Sequence, residues 1–139
     1  MTEPSAHHIG ITVADLERAI NFYSKTLGLD ILTRFSVSGE AFATAVDVDG
    51  ATGSFAHVDA GGARIELVEY EPCGKARTPG TINRPGGTHV GLAVDDIDGF
   101  YEEIKDEVGP ISEPQTTESG TRIFFVRDPD GTLVEFIES

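Results

Sequence analysis

The sequence predicts an α+β fold made of two copies of one strand–helix–strands module, and three observations predict it. First, the stretch His8-Ile9-Gly10-Ile11-Thr12-Val13-Ala14-Asp15-Leu16 returns as His89-Val90-Gly91-Leu92-Ala93-Val94-Asp95-Asp96-Ile97, with His, Gly, Val and Asp at identical spacing. Second, each stretch leads into the same apolar helix stripe: Ile20, Tyr23 and Leu27 in one copy, Tyr101, Ile104 and Val108 in the other, each followed by glycine. Third, Phe55, Asp59, Gly62 and Glu66 are answered by Phe124, Asp128, Gly131 and Glu135. Repetition at this length marks a duplicated supersecondary unit. The offset falls from 81 residues in the first part to 69 in the tail, so the second copy lacks 12 residues between its helix and its closing strands.

In chain order, residues 1–6 are polar and read as a frayed start. Residues 7–14 read as a strand, and 16–27 as a helix with Asp15 at its N-cap and Gly28 at its left-handed end. Leu29–Val37, Phe42–Val48, Ser54–Val58 and Arg64–Tyr70 read as strands, separated by turns at Ser38-Gly39-Glu40, Asp49–Gly53 and Ala60-Gly61-Gly62. Glu71–Gly87 is a linker broken by Pro72, Gly74, Pro79, Gly80, Pro85, Gly86 and Gly87, and it holds Lys75, Arg77 and Arg84. A loop this long and irregular is either a tether or a functional segment. The second module runs from Thr88 to Glu138, with Asp96 as N-cap, Gly109 after the helix, and a hairpin turn at Asp128-Pro129-Asp130-Gly131.

Composition narrows the function. A chain of 139 residues suffices for one domain with a real core. Its formal net charge of -14 repels nucleic acid and anionic membrane alike, which excludes both as expected partners. No apolar stretch approaches membrane-spanning length and no cationic, apolar leader precedes His8. The single Cys73 has no partner in the chain, in keeping with a reducing compartment, so the expected location is the cytoplasm. The acidity also suits a protein adapted to high salt, a hypothesis about origin rather than function; stability that fails to rise across molar KCl would end it.

Alternation within the strands selects four residues. Ile9, Ile11 and Val13 share the face turned to the helix, and His8, Gly10 and Thr12 share the other. Val90, Leu92 and Val94 repeat the first set, and His89, Gly91 and Ala93 the second. Glu66 and Glu135 each sit between aliphatic neighbours in a closing strand, where a carboxylate is costly unless paired or bound to a metal. Glu69 and Glu138 fall on the opposite face and read as exposed. A strand histidine taken alone is more often a satisfied polar group than a ligand. Two imidazoles and two carboxylates at matched positions are a different matter, since duplication explains their correspondence but not the retention of four costly residues. Packed with pseudo-twofold symmetry, the modules would bring His8, Glu66, His89 and Glu135 together around a borderline divalent ion: Zn, Ni, Co, Fe or Mn. His7, on the helix side by parity, and His57 match nothing in the other copy and read as ordinary.

Here the chain resembles the vicinal oxygen chelate superfamily, which includes glyoxalase I (lactoylglutathione lyase), methylmalonyl-CoA epimerase, extradiol dioxygenases, and fosfomycin-resistance and bleomycin-binding proteins. The resemblance spans nearly the whole chain. It rests on His8–Val13 with Asp15-Leu16, on Ala19-Ile20-Asn21-Phe22-Tyr23 leading to Leu27-Gly28-Leu29, and on Asp128-Pro129-Asp130-Gly131 before Leu133-Val134-Glu135. It implies a single domain over 1–139 built of two βαβββ modules, 6–70 and 88–138 about the linker 71–87, whose curved mixed sheet forms a cup around one divalent metal ion. The ligands implied are His8, Glu66, His89 and Glu135, with Glu135 and then Glu66 as the group that moves a proton.

A carboxylate at Glu66 resembles the isomerase and lyase members. The implied activity is a metal-dependent isomerase or lyase of the glyoxalase I type, acting on a small α-oxygenated carbonyl compound through a metal-stabilised enediolate. Thr12 and Tyr70 stand where bacterial glyoxalase I enzymes carry an Arg and an Asn that help hold glutathione, which points to a different thiol adduct or another substrate. The alternatives are an Fe(II) extradiol dioxygenase or Mn-dependent thiol transferase using His8, His89 and Glu135, or a non-catalytic, antibiotic-binding protein. By the same resemblance the chain forms a homodimer around a small-molecule substrate.

Overall fold

The structure, a computed structural model, describes residues 2–139, and the expected frayed start lies outside it only at Met1. The chain forms two compact units, one ending at Ala76 and the other running Arg77–Ser139. Each unit completes its own four-stranded mixed sheet.

The first unit comprises β1 (Ile9–Thr12), α1 (Leu16–Ile20), β2 (Asp30–Val37), α2 (Glu40–Val46), β3 (Thr52–Asp59) and β4 (Arg64–Glu71), with sheet order β1-β4-β3-β2. β1 runs parallel to β4, and the other pairs are antiparallel. The Asp15 carboxylate accepts a hydrogen bond from the Arg18 amide at 3.1 Å and so starts α1. Past Ile20 the helix widens into a π-helical segment, Asn21–Thr26, in which the Leu27 amide reaches the Phe22 carbonyl five residues back. The extra residue per turn keeps Phe22 and Leu27 on the buried side with Leu16, Ala19 and Tyr23. Gly28 then takes a φ of +82°, and the Leu29 and Gly28 amides bond to the Tyr23 and Ser24 carbonyls, which closes the helix in the way the sequence suggests.

The strand expected at Phe42–Val48 is instead α2. Three alanines, Ala41, Ala43 and Ala45, favour helix, and none of the α2 residues is buried as a strand in the sheet would require. Its ring packs edge-on to Phe55 and parallel to Tyr70. Here also is the length that the second module lacks: α2 and its turns have no counterpart there. Ile9 departs from its expected burial as well, being 50% exposed, while Ile11 and Val13 are buried as the alternation requires.

The second unit comprises β5 (His89–Ala93), α3 (Ile97–Ile104), β6 (Gln115–Thr116), β7 (Arg122–Arg127) and β8 (Leu133–Glu138), ordered β5-β8-β7-β6. β5 runs parallel to β8, as β1 does to β4. Asp96 caps α3 through the Gly99 amide at 3.0 Å. Phe124, Phe136, Tyr101 and Phe100 form an aromatic core against the sheet. α3 ends at Ile104 rather than reaching Gly109, which is not among the glycines of positive φ. The Asp128 turn forms as expected, with the Asp128 carboxylate accepting from the Asp130 and Thr132 amides. The later half of the linker is no plain tether. Arg127 donates to the Gly80 carbonyl and the Gly131 carbonyl, both at 3.0 Å, and so ties that segment to the β7–β8 turn.

Register corrects one correspondence. Phe55 pairs with Val68, but Phe124 pairs with Phe136, the counterpart of Leu67 rather than of Val68. The β7–β8 turn holds one residue more than the β3–β4 turn, so the 69-residue offset that relates β4 to β8 fails by one between β3 and β7. Phe124 therefore corresponds to Ala56, and the position of Phe125 to His57.

Candidate metal centre

β1 and β4 run side by side, and Gly10 is the register partner of Glu66. A side chain at Gly10 would meet nothing within 4 Å, which leaves open space beside the carboxylate. His8, just ahead of β1, reaches into the neighbourhood of that carboxylate: its Nε2 lies 3.3 Å from Glu66 Oε1. The second unit repeats the arrangement. Gly91 pairs with Glu135, and His89 Nε2 lies 3.3 Å from Glu135 Oε1. Both imidazoles are about a third exposed, at 35% and 38%, whereas the carboxylates are mostly covered, at 15% and 19%. The sheet thus holds each carboxylate from below while the imidazole stays accessible.

The donor chemistry and the spacing fit a divalent cation. Two donors about 2.1 Å from one ion, in a tetrahedral or octahedral arrangement, stand roughly 3.0–3.4 Å apart. The 3.3 Å separations fall in that interval and are longer than the 2.8 Å contact between His57 and Glu66. Nitrogen and carboxylate oxygen without thiolate select borderline ions such as Zn, Ni, Co, Fe or Mn. Among the described residues, no group of three or more His, Cys, Asp or Glu forms a cation cage, so each unit offers a pair rather than a finished site.

Two histidines that the sequence left as ordinary belong to the first pair's surroundings. His7, expected on the helix side, is exposed, and its Nδ1 stands 2.8 Å from His8 Nδ1. One of the two nitrogens carries the hydrogen; with it on His8, Nδ1 donates to His7 and Nε2 is left as a free lone pair directed at Glu66. His57 is 5% exposed, and its Nε2 lies 2.8 Å from Glu66 Oε2. The Phe35 ring stands nearly perpendicular to it, 5.2 Å away between centroids. The hairpin turn expected at Ala60-Gly61-Gly62 is one residue longer, Ala60–Ala63, and that length sets His57, three before the turn, opposite Glu66, three after it. In the second unit that place beside Glu135 belongs to Phe125, whose ring packs against His89.

Glu69 and Glu138 are half-buried rather than exposed. Each reaches a helix start, with Glu69 accepting from the Leu16 amide at 2.7 Å and Glu138 from the Ile97 amide at 2.8 Å. They fasten the helix of each module to its closing strand and take no part in the pairs above.

A family model described as the Glyoxalase/Bleomycin resistance protein/Dioxygenase superfamily matches residues 5–136. A lactoylglutathione lyase of Haemophilus influenzae is 32% identical over 137 residues, covering 95% of this chain and 90% of that protein. A 2-epi-5-epi-valiolone epimerase of an Actinomyces species is 27% identical over 143 residues, covering 96% of this chain and 78% of that one. A crystal structure of a glyoxalase family protein from Bacillus cereus superposes with a TM-score of 0.87 at 24% identity, over 99% of this chain and 95% of the other, and shares its fold. No helix among the described residues is long and apolar enough to cross a membrane.

Proposed function

Because the chain belongs to the Glyoxalase/Bleomycin resistance protein/Dioxygenase superfamily, we propose that it is a metal-dependent isomerase or lyase of the glyoxalase I type, acting on a small α-oxygenated carbonyl compound. One observation carries the reading: the same imidazole–carboxylate pair, with Nε2 and Oε1 3.3 Å apart, occurs once in each unit beside a glycine in register with the carboxylate. The presence of a lyase and an epimerase among the relatives supports an isomerase or lyase.

In this reading His8, Glu66, His89 and Glu135 together hold one divalent ion, Zn, Ni, Co, Fe or Mn, with the site completed within one chain or across a homodimer. When bound, such an ion supplies the Lewis acidity that makes a carbon acid next to two oxygens ionisable at neutral pH. His8 and His89 act as neutral nitrogen donors and hold their positions throughout. Glu135 takes the proton from carbon and returns it to the neighbouring carbon or the opposite face, a contribution of about 10²–10⁴-fold for general-base catalysis. Glu66 stays a ligand. The open space over Gly10 and beside Gly91, where an added Cβ would lie 3.6 Å from Glu135 Oε1, leaves room for substrate against the carboxylates.

The test is metal analysis of protein purified without chelator, followed by assays on methylglyoxal–thiol adducts and on methylmalonyl-CoA. The expected result is one divalent ion per set of four ligands and turnover that chelator removes and the ion restores. Stoichiometric ion with oxygen uptake on a catechol would replace the isomerase by a dioxygenase. Ligand binding that is indifferent to chelator would replace the enzyme by a binding module.

A further inference from the structure

His57 is a buried imidazole that the proposed reaction does not use. It sits in mid-strand on β3, directly across from Glu66, and its Nε2 lies 2.8 Å from the Glu66 oxygen that His8 does not approach. Glu66 is therefore held at both oxygens, Oε1 toward His8 and Oε2 toward His57. Glu135 is not. Phe125 occupies the corresponding place on β7 and offers no donor, and among the described residues the polar contact of the Glu135 carboxylate is His89. The two carboxylates are duplicates in sequence and unequal in restraint.

The imidazole is retained at a cost. With its Nε2 hydrogen donated to Glu66, the His57 Nδ1 is a buried acceptor without a hydrogen-bond partner. An unsatisfied buried polar atom is destabilising, and an apolar ring such as the one in the second unit avoids that cost. A packing role alone does not account for histidine here.

We propose that His57 is a positioning residue, which locks Glu66 as the carboxylate that stays bound to the ion and leaves Glu135 as the one free to move a proton. The inference rests on the metal-dependent reading above and divides the labour between two groups that the sequence makes equivalent. Groups that orient a ligating carboxylate typically contribute 10–100-fold to ion affinity.

The experiment measures binding of Co²⁺ by competition against a chromophoric chelator, together with the visible spectrum of the Co²⁺ protein, for the wild type, His57→Phe, His57→Gln and Glu66→Gln, and for the double variant with His57→Phe and Glu66→Gln. His57→Phe reproduces the environment of Glu135. The expected result is affinity about 10–100-fold weaker for His57→Phe, with a changed ligand-field spectrum. His57→Gln, which restores an N–H donor, recovers most of both. The double variant loses no more than Glu66→Gln alone, because His57 acts through Glu66. Turnover in His57→Phe falls with ion occupancy and returns at saturating Co²⁺. Affinity and spectrum unchanged in His57→Phe would overturn the inference while the metal-dependent reading stands. A wild-type protein that binds no divalent ion would overturn both. Equal losses for Phe and Gln, or additive losses in the double variant, would reduce His57 to a packing residue and overturn the positioning role.

Discussion

The Glu69 carboxylate accepts a hydrogen bond from the Leu16 backbone amide, 2.7 Å away, across 53 residues of chain. Leu16 is the first residue of α1, where an amide has no partner within the helix, and a negative charge there also meets the positive end of the helix dipole. Glu138 does the same for Ile97 of α3. Glu69→Ala or Glu138→Ala should each lower unfolding free energy by about 1–3 kcal/mol, the cost of leaving a part-buried donor unpaired. Gln at either position, which keeps an acceptor oxygen, should lose less. Denaturant titrations of the four variants check this, and equal stability of Ala and Gln variants would remove the hydrogen bond from the account.

Glu135→Gln keeps the size and one donor oxygen of the side chain but cannot take up a proton. Turnover on the substrate identified by the assays above should fall about 10²–10⁴-fold, with ion affinity changed much less. Glu66→Gln should show the opposite balance, with the larger loss in affinity. Steady-state kinetics paired with chelator competition separate the two, and near-wild-type turnover in Glu135→Gln would take that residue out of the mechanism.

Gly28 holds the end of the first helix at a φ of +82°, with open space around the position where a side chain would start. Gly28→Ala meets no clash, so its effect isolates backbone strain, and it should cost about 1–2 kcal/mol. Gly109, with no such φ, should accept alanine at little cost. A thermal melt of both variants makes the comparison, and equal midpoints would show that the duplicated glycines do equal work.

The net charge of -14 predicts a stability that rises with salt. Screening shortens the Debye length from about 30 Å at 0.01 M to about 8 Å at 0.15 M, so relief of repulsion should appear mostly in that range. A gain that continues into molar KCl is the signature of adaptation to high salt. Melting midpoints across the KCl series decide between them, and a flat series would count against both.

The sequence by itself determined the duplication and singled out His8, Glu66, His89 and Glu135, because a repeat of costly residues on one strand face survives any local error in reading. Its errors share a cause: one-dimensional parity says which way a residue points and not what lies opposite it. Phe42–Val48, bounded by turn residues, read as a strand, although alanine propensity favours the helix it forms, with Phe42 against Phe55 and Tyr70. Parity turned Glu69 and Glu138 outward to solvent, where the tertiary fold brings a helix start within their reach. Only the tertiary structure decided that His57 stands against Glu66 while Phe125 stands against Glu135, since one extra residue in a hairpin turn shifts β7 against β3 and no repeat in the sequence marks it. The inequality of two carboxylates that the sequence wrote alike is set by strand register, a relation between distant residues that hydrogen bonding across the sheet fixes.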